Sequence, residues 1–189
     1  MSSLFIKNIR SAAIAATLLA CLTSVHLFAQ TANVTYAAVG KFSAAPVSGN
    51  DLFQLAGNTF KMAIVGSESA KPVKSGKGYA AYAGLKMQGS VQSGLVPGQG
   101  IPLTSTHTFV VLALGASSDT VEIQSPVTVL GQTIMITAKF TVPKGTLAKP
   151  TIWPFTHGVA LTPSSGTVTY SDSSATTTLT VATGSLTAK

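Results

Sequence analysis

The stretch that decides the fold is Thr106–Gly115, which reads Thr-His-Thr-Phe-Val-Val-Leu-Ala-Leu-Gly. Its centre, Phe109–Leu114, is an unbroken apolar run rich in β-branched and aromatic side chains. The run is far too short to cross a bilayer as a helix, which takes roughly 20 residues. A short apolar run bounded by turn residues indicates a strand that is covered on both faces. We therefore expect Thr106–Leu114 to be a central strand, with the other segments paired with it or packed over it.

Alternation of apolar and polar residues predicts further strands on both sides of this run. Segment 79–88 is compatible with a short helix or a strand, and Gly131-Gln132 predicts a type II′ hairpin turn. Pro126 indicates either the end of a strand or a kink at a sheet edge. The total of roughly eight to ten short strands favours an all-β fold, an antiparallel β-sandwich or jelly-roll. The strands are expected at 33–42, 60–65, 85–91, 106–114, 120–125, 127–130, 133–142, 167–170 and 176–183.

Composition argues against an outer-membrane β-barrel. Such barrels need girdles of aromatic residues and strands with an apolar outward face, whereas only 7% of this chain is aromatic. A strand that is apolar on both faces would also not suit a polar lumen. The sequence thus predicts a single β-sandwich domain at 33–189.

Residues 1–32 have the pattern of a secretory signal peptide. Lys7 and Arg10 precede an uncharged apolar run at 11–22, and small residues near 29–32 mark the expected cleavage site. The segment Leu18-Leu19-Ala20-Cys21 also resembles a bacterial lipobox, in which Cys21 would carry a lipid anchor. The expected location is secreted or periplasmic, with an outer-membrane lipoprotein as the alternative. No membrane span is expected in the mature domain.

Cysteine and charge restrict the chemistry of the domain. Cys21 is the only cysteine, so residues 33–189 cannot hold a disulfide of their own or a cysteine-based metal site. Without Lys7 and Arg10, the formal charge of +7 becomes +5, from ten lysines and five acids with no arginine. Because arginine is the preferred group for bidentate recognition of phosphate and bases, its absence argues against a nucleic-acid partner.

No motif in the chain defines a catalytic mechanism. The nucleophile elbow, zinc and calcium patterns are missing from the sequence, so we expect neither a metal nor another cofactor, and an enzyme is disfavoured. Asp119 and Glu122 should lie on opposite faces of a strand, which favours solvated turn and strand-edge charges over a catalytic pair. His107 is expected to be a hydrogen-bonded core residue, which leaves His157 as the better functional candidate.

Two segments are candidates for ligand binding. Trp153, Phe155 and His157 lie in a loop stiffened by prolines, where a preorganised aromatic ring could stack on a sugar or a partner. The alternative is that Trp153 and Phe155 fold inward and close the end of the sandwich. Lys77, Tyr79 and Tyr82 combine positive charge with aromatic rings and could contact an anion or a glycan. The alternative there is a solvated lysine-rich loop.

These observations favour a non-catalytic exported module that binds a glycan or protein partner at a surface, in a matrix or in adhesion. One alternative is a small secreted hydrolase or lyase that uses His157 with Asp51, Glu68 or Asp172. The other is a subunit of an extracellular assembly joined through unpaired edge strands.

Overall fold

The structure is a computed structural model of the 189-residue chain. It describes residues 33–67, 71–147, 158–163, 165–171 and 176–188. The predictions about Cys21, the signal peptide, Trp153, Phe155 and His157 therefore lie outside the described residues. Within the described ranges, no helix is long and apolar enough to cross a membrane. The strands are β1 (Asn33–Phe42), β2 (Thr59–Ser67), β3 (Lys74–Gly76), β4 (Tyr79–Gln92), β5 (Gly100–Ala113), β6 (Ser118–Val129), β7 (Gln132–Pro143), β8 (Val159–Leu161), β9 (Gly166–Ser171) and β10 (Thr176–Ala188).

The sheet closes on itself into a β-barrel. Eight strands follow one another in the order β1-β2-β4-β5-β6-β7-β9-β10, and β10 pairs antiparallel with β1. This last ladder runs from Tyr36 opposite Ala188 to Phe42 opposite Val181. The prediction of a sandwich or jelly-roll is therefore wrong. Strands of both architectures alternate inward and outward residues, and only the pairing of the first strand with the last distinguishes them.

The two short strands complete the wall where a longer neighbour has ended. β2 pairs with 86–91 of β4, and β3 pairs with the remaining part at Tyr79–Ala81. In the same way, β9 pairs with the beginning of β10, and β8 pairs with Gly184–Leu186 further along.

The inward-facing side chains form one apolar core that fills the barrel. Every long strand alternates buried and more exposed positions, as a wall with one packed face requires. Lysines such as Lys61, Lys86 and Lys139 stand at exposed outward positions. Burial of each large apolar side chain contributes roughly 1.5–3 kcal/mol. The largest fully buried side chains include Tyr36, Met62, Ile64, Tyr82, Met87, Leu112, Ile123, Phe140 and Leu179.

The apolar run Phe109–Leu114 is not covered on both faces, contrary to the expectation. Val110 and Leu112 are each 1% exposed inside the barrel, whereas Phe109 is 48% and Leu114 is 41% exposed. Phe109 thus points outward from β5, and Leu114 is exposed directly after the strand ends.

His107 lies outside the core, so its assignment as a buried histidine is wrong. The register of β4 with β5 shifts between Tyr82 and Leu85 and again between Leu85 and Met87. The second shift places an additional residue in β5 near His107, which is exposed and lies 3.0 Å from the Thr106 hydroxyl through Nδ1. Segment 79–88 belongs to a strand, and Gly84 takes the positive φ of 69° beside the first shift.

The predicted hairpin after β6 is confirmed, but its turn is one residue earlier and of another type. Val129 pairs with Gln132, so Leu130 and Gly131 form the two-residue turn. Their φ angles are 48° and 82°. Two successive positive φ values define a type I′ turn, which usually takes Asn-Gly because a leucine is strained there.

Candidate functional site

One end of the barrel, here called the plug end, is closed by the loop between β1 and β2. Within this loop, Phe53 and Leu55 turn inward and are only 5% and 6% exposed. The Asp51 carboxylate accepts hydrogen bonds from the backbone N–H of Leu55 (3.0 Å) and of Ala56 (2.7 Å). The acidic side chain thereby holds the loop in the folded turn that directs its two apolar residues into the core.

The loop between β1 and β2, here called the plug, is also bonded to the barrel wall. The Tyr170 hydroxyl donates to Oδ1 of Asp51 at 2.9 Å, and the Tyr170 ring meets Phe53 edge-on with centroids 5.3 Å apart. The Ser93 hydroxyl donates to the Phe53 carbonyl at 2.6 Å, and the Thr177 hydroxyl donates to the Asn50 carbonyl at 2.6 Å. Burial, together with the neighbouring Asp51 carboxylate, raises the pKa of Tyr170 to about 12. Hydrogen bonds and ring packing therefore fix the plug to the barrel wall.

Behind the plug lies a cavity of about 20 Å³. One water needs about 10–15 Å³ and two to four polar partners, whereas this lining is apolar and aromatic apart from the Tyr170 hydroxyl. Pockets for drug-sized ligands measure roughly 300–1,000 Å³. The filled interior is thus packing space and too small for a ligand. The lining residues are Phe42, Phe53, Leu55, Phe60, Met62, Val91, Leu103, Val129, Ile134, Ile136, Val168 and Tyr170.

Asp119, the most buried acid among the described residues, accepts hydrogen bonds at the opposite end of the barrel. Asp119 is 1% exposed, and its Oδ2 accepts hydrogen bonds from the backbone N–H of Gly145 (2.9 Å) and of Leu147 (3.0 Å). Glu122 stands on the outer face, as the offset of three residues predicts, and accepts a hydrogen bond from Gln124. Across the part of the chain that the structure describes, no cluster of three or more His, Cys, Asp or Glu could hold a metal ion.

In the second binding candidate, the structure places Tyr82 apart from Lys77 and Tyr79. Lys77 is exposed in the turn between β3 and β4, and the half-buried ring of Tyr79 packs so closely on Gly76 that a Cβ there would collide with it. Tyr82 is 1% exposed in the barrel interior, where burial raises its pKa. Lys77 and Tyr79 thus share a surface, and Tyr82 supports the wall from inside.

The ladder between β5 and β6 ends before the two strands do, on the side of the plug end. These strands pair only from Phe109 opposite Gln124 to Ala113 opposite Thr120. In the described chain, no ladder joins the preceding part of β5, 100–108, to the following part of β6, 125–129. We call this gap the fork. Its two sides are strand edges that already pair with β4 and β7 on their other sides.

Two local features explain why the ladder between β5 and β6 ends at this point. Continuation of the register would place Pro126 opposite His107, but proline has no N–H to donate and β5 carries its additional residue there. At the apex, the buried hydroxyls of Thr108 and Ser125 lie 2.8 Å apart and bond to each other. The side chains thereby join the two strands at the level directly beyond the last ladder pair.

A groove of about 350 Å³ lies at the mouth of the fork. Leu130, at one side of it, combines a positive φ of 48° with a side chain that is 54% exposed. A strained residue held at a surface is a reason to suspect a binding role. The groove is lined by Val96, Gln99, Gly100, Ile101, Pro102, Thr128, Leu130 and Gly131.

Sequence reasoning missed the fork as a candidate site, although the sequence contains a signal for it at Pro126. The prediction that Pro126 marks a kink at a sheet edge is consistent with β6, which continues through this proline beside the gap. A second proline, Pro102, lies in β5 on the other side. Comparison of the chain with known protein families, with curated proteins and with solved structures gave no match.

Proposed function

We propose that this protein is a non-catalytic, exported β-barrel module that binds a protein or glycan partner with its outer surface. The observation that carries the proposal is the filled interior, whose cavity of about 20 Å³ leaves no room for a ligand. A barrel of this kind acts as a rigid support for its loops and strand edges.

The positions of the acids add support. Asp51 and Asp119 both accept hydrogen bonds from backbone N–H groups in the loops that they order. A carboxylate with these roles is poorly available as a general base, and this weakens the hydrolase alternative that relied on Asp51.

The proposal is tested by binding screens together with activity screens on the mature chain. We expect reproducible binding on a glycan array or to an isolated protein of the cell envelope, and no turnover. Blank binding screens alongside a reproducible hydrolytic activity would overturn it.

Export is a separate part of the proposal and has its own test. Precursor and processed forms are compared by mass after expression, with a fatty-acid analogue added to label a lipid anchor. Secretion predicts a shortened, unlabelled chain, whereas label that is lost in Cys21→Ser would establish the lipoprotein alternative. An unprocessed chain retained in the cytoplasm would contradict both.

A further inference from the structure

We infer that a groove on the outer face of β4 and β5 binds a sugar residue that carries a negatively charged substituent. This inference rests on the proposed function and names the chemical class of the ligand and its site. The groove has a volume of about 300 Å³, at the lower limit of small-ligand pockets. We call it the bulge groove, and its lining consists of Lys86, Met87, Gln88, Thr104, Ser105 and Thr106.

The bulge groove lies where the pairing of β4 with β5 is irregular. The second register shift leaves one residue of β4, Lys86, opposite two residues of β5, Thr106 and His107. All three are exposed, so their side chains stand together on the outer face of the barrel. A β-bulge of this kind redirects side chains and is common beside functional sites. The irregular ladder thus concentrates polar groups at one place on the wall.

The polar groups of the bulge groove are held in position by local contacts. The backbone N–H of His107 donates to the Ser105 hydroxyl at 3.1 Å, and the Thr106 hydroxyl lies 3.0 Å from Nδ1 of His107. Gln88 and Thr104 form the next cross-strand pair, and both are exposed. Hydroxyl and amide groups donate and accept hydrogen bonds, as the hydroxyls of a sugar do. Groups that are ordered beforehand lose less side-chain entropy when a ligand binds.

Lys86 gives the bulge groove its preference for an anion. It is the charged residue of the lining, and no acidic side chain of the described residues lines the groove. The formal charge of +5 on residues 33–189 also attracts anions to the domain. Because a lysine is a compact point charge without the planar fork of arginine, it accepts a carboxylate or a sulfate equally. The ligand is therefore a sugar with either of these two substituents.

Phe109 adds an apolar surface beside the bulge groove. It follows His107 by two positions along β5 and is 48% exposed. The first register shift places Ala83 and Gly84 opposite it, and no atom of the described residues lies within 4 Å of a Cβ added to Gly84. The electron-rich face of an aromatic ring attracts the C–H groups of a sugar ring. The combination of a ring, hydroxyls and one cation favours an acidic sugar over a free phosphate or an acidic peptide.

The test is a titration of the isotope-labelled mature chain, followed by the NMR shifts of its backbone amides. The probes are trigalacturonic acid, its methyl ester and a sulfated galactose trisaccharide. We expect saturable shifts at 86–88 and 104–107 with at least one of the two anionic probes. The methyl ester keeps the sugar but loses the charge of trigalacturonic acid, so it should bind about tenfold more weakly than the acid. Saturable binding of the sulfated probe alone would support the site and identify sulfate as the substituent.

Variants of the protein give a matched comparison. Lys86→Gln removes the charge of the groove and should weaken binding of the anionic probe about tenfold. Lys139→Gln removes an equally exposed lysine from the outer face of β7 and should bind within about twofold of the native chain. Phe109→Leu and Thr104→Val remove the ring and one hydroxyl, and each should weaken binding about threefold.

Equal losses in Lys86→Gln and Lys139→Gln would show diffuse attraction by the net charge and would overturn the site. So would equal binding of trigalacturonic acid and its methyl ester, or the absence of saturable shifts with every probe. Binding of a neutral glycan or of a protein partner without shifts at the bulge groove would refute this inference and leave the proposed function intact. Cleavage of a probe would overturn both.

Discussion

The hydroxyl of Tyr170 in β9 donates a 2.9 Å hydrogen bond to the carboxylate of Asp51, a residue 119 positions earlier in the chain. This contact joins the plug to the barrel wall. Because the same carboxylate accepts hydrogen bonds from Leu55 and Ala56, it links the conformation of the loop to its position. The hydrogen bonds of Asp51 thus hold the loop that closes the plug end, with Phe53 and Leu55 packed inside the barrel.

Loss of the Asp51 carboxylate should destabilise the barrel. Asp51→Ala removes three hydrogen bonds to a charged group and should lower the free energy of unfolding by about 2–4 kcal/mol. Tyr170→Phe removes one of them and should cost about 1–2 kcal/mol. Urea unfolding followed by circular dichroism measures both. Equal effects of the two variants would show that the backbone contacts of Asp51 contribute nothing.

Alkaline pH should destabilise the folded chain. The pKa of Tyr170 is raised from 10.0 to about 12, chiefly by burial. Above pH 10 the unfolded chain loses this proton while the folded chain keeps it, so stability falls as pH rises from about 10 to 12. Below pH 10 this tyrosine contributes no pH dependence. Thermal unfolding between pH 8 and 12 should show a smaller alkaline decline for Tyr170→Phe than for the native chain. Identical declines would contradict the assignment.

Relief of strain at the hairpin turn should stabilise the chain. Leu130 has a φ of 48° and a largely exposed side chain, so Leu130→Asn should raise the free energy of unfolding by about 1 kcal/mol. The control is Gly131→Ala, which has a φ of 82° but no atom near the added Cβ and should cost about 1 kcal/mol through strain alone. Chemical unfolding measures the change in the free energy of unfolding for both variants. Destabilisation by Leu130→Asn would show that the leucine packs on the barrel.

The hydroxyl pair at the fork apex should behave as a coupled unit. Thr108→Val leaves the Ser125 hydroxyl buried without its partner, and Ser125→Ala does the same to Thr108, so each should cost about 1–3 kcal/mol. The double variant removes both groups and should cost little more than either single change. A double-mutant cycle of unfolding free energies measures this coupling, and strict additivity would mean that the hydroxyls are independently satisfied.

The strands were accessible to sequence reasoning because alternation of side chains is a local property. Strands β1, β2, β6, β7 and β10 lie close to the segments that alternation indicates. The closure between β1 and β10 was not accessible, because it depends on a pairing between the two ends of the domain. The same limit applies to Phe109, which a run of apolar residues alone places in the core.

The candidate site depended even more on long-range register. The exposure of His107 follows from a shift between β4 and β5, and the fork follows from the failure of β5 and β6 to continue pairing. Pro126 gave a local indication of a sheet edge, but its meaning required knowledge of the strand opposite. Asp51 was one of five acids in the domain, and its partner Tyr170 could be identified only from the folded chain.

The central claim is a barrel that closes through the ladder between β1 and β10, while the ladder between β5 and β6 ends at the fork. Residue-resolved amide hydrogen exchange tests both halves at once. Every amide of 36–41 should be protected, since β1 pairs on both sides. Thr104 and Thr128 each stand two residues after a proline in an unbroken ladder with β4 or β7, so their N–H groups point toward the fork. Because no ladder is formed there, these two amides should exchange at least about a hundredfold faster. Fast exchange at alternate residues of β1 would indicate an open sheet. Protection of Thr104 and Thr128 would show that the β5–β6 ladder continues and would contradict the account.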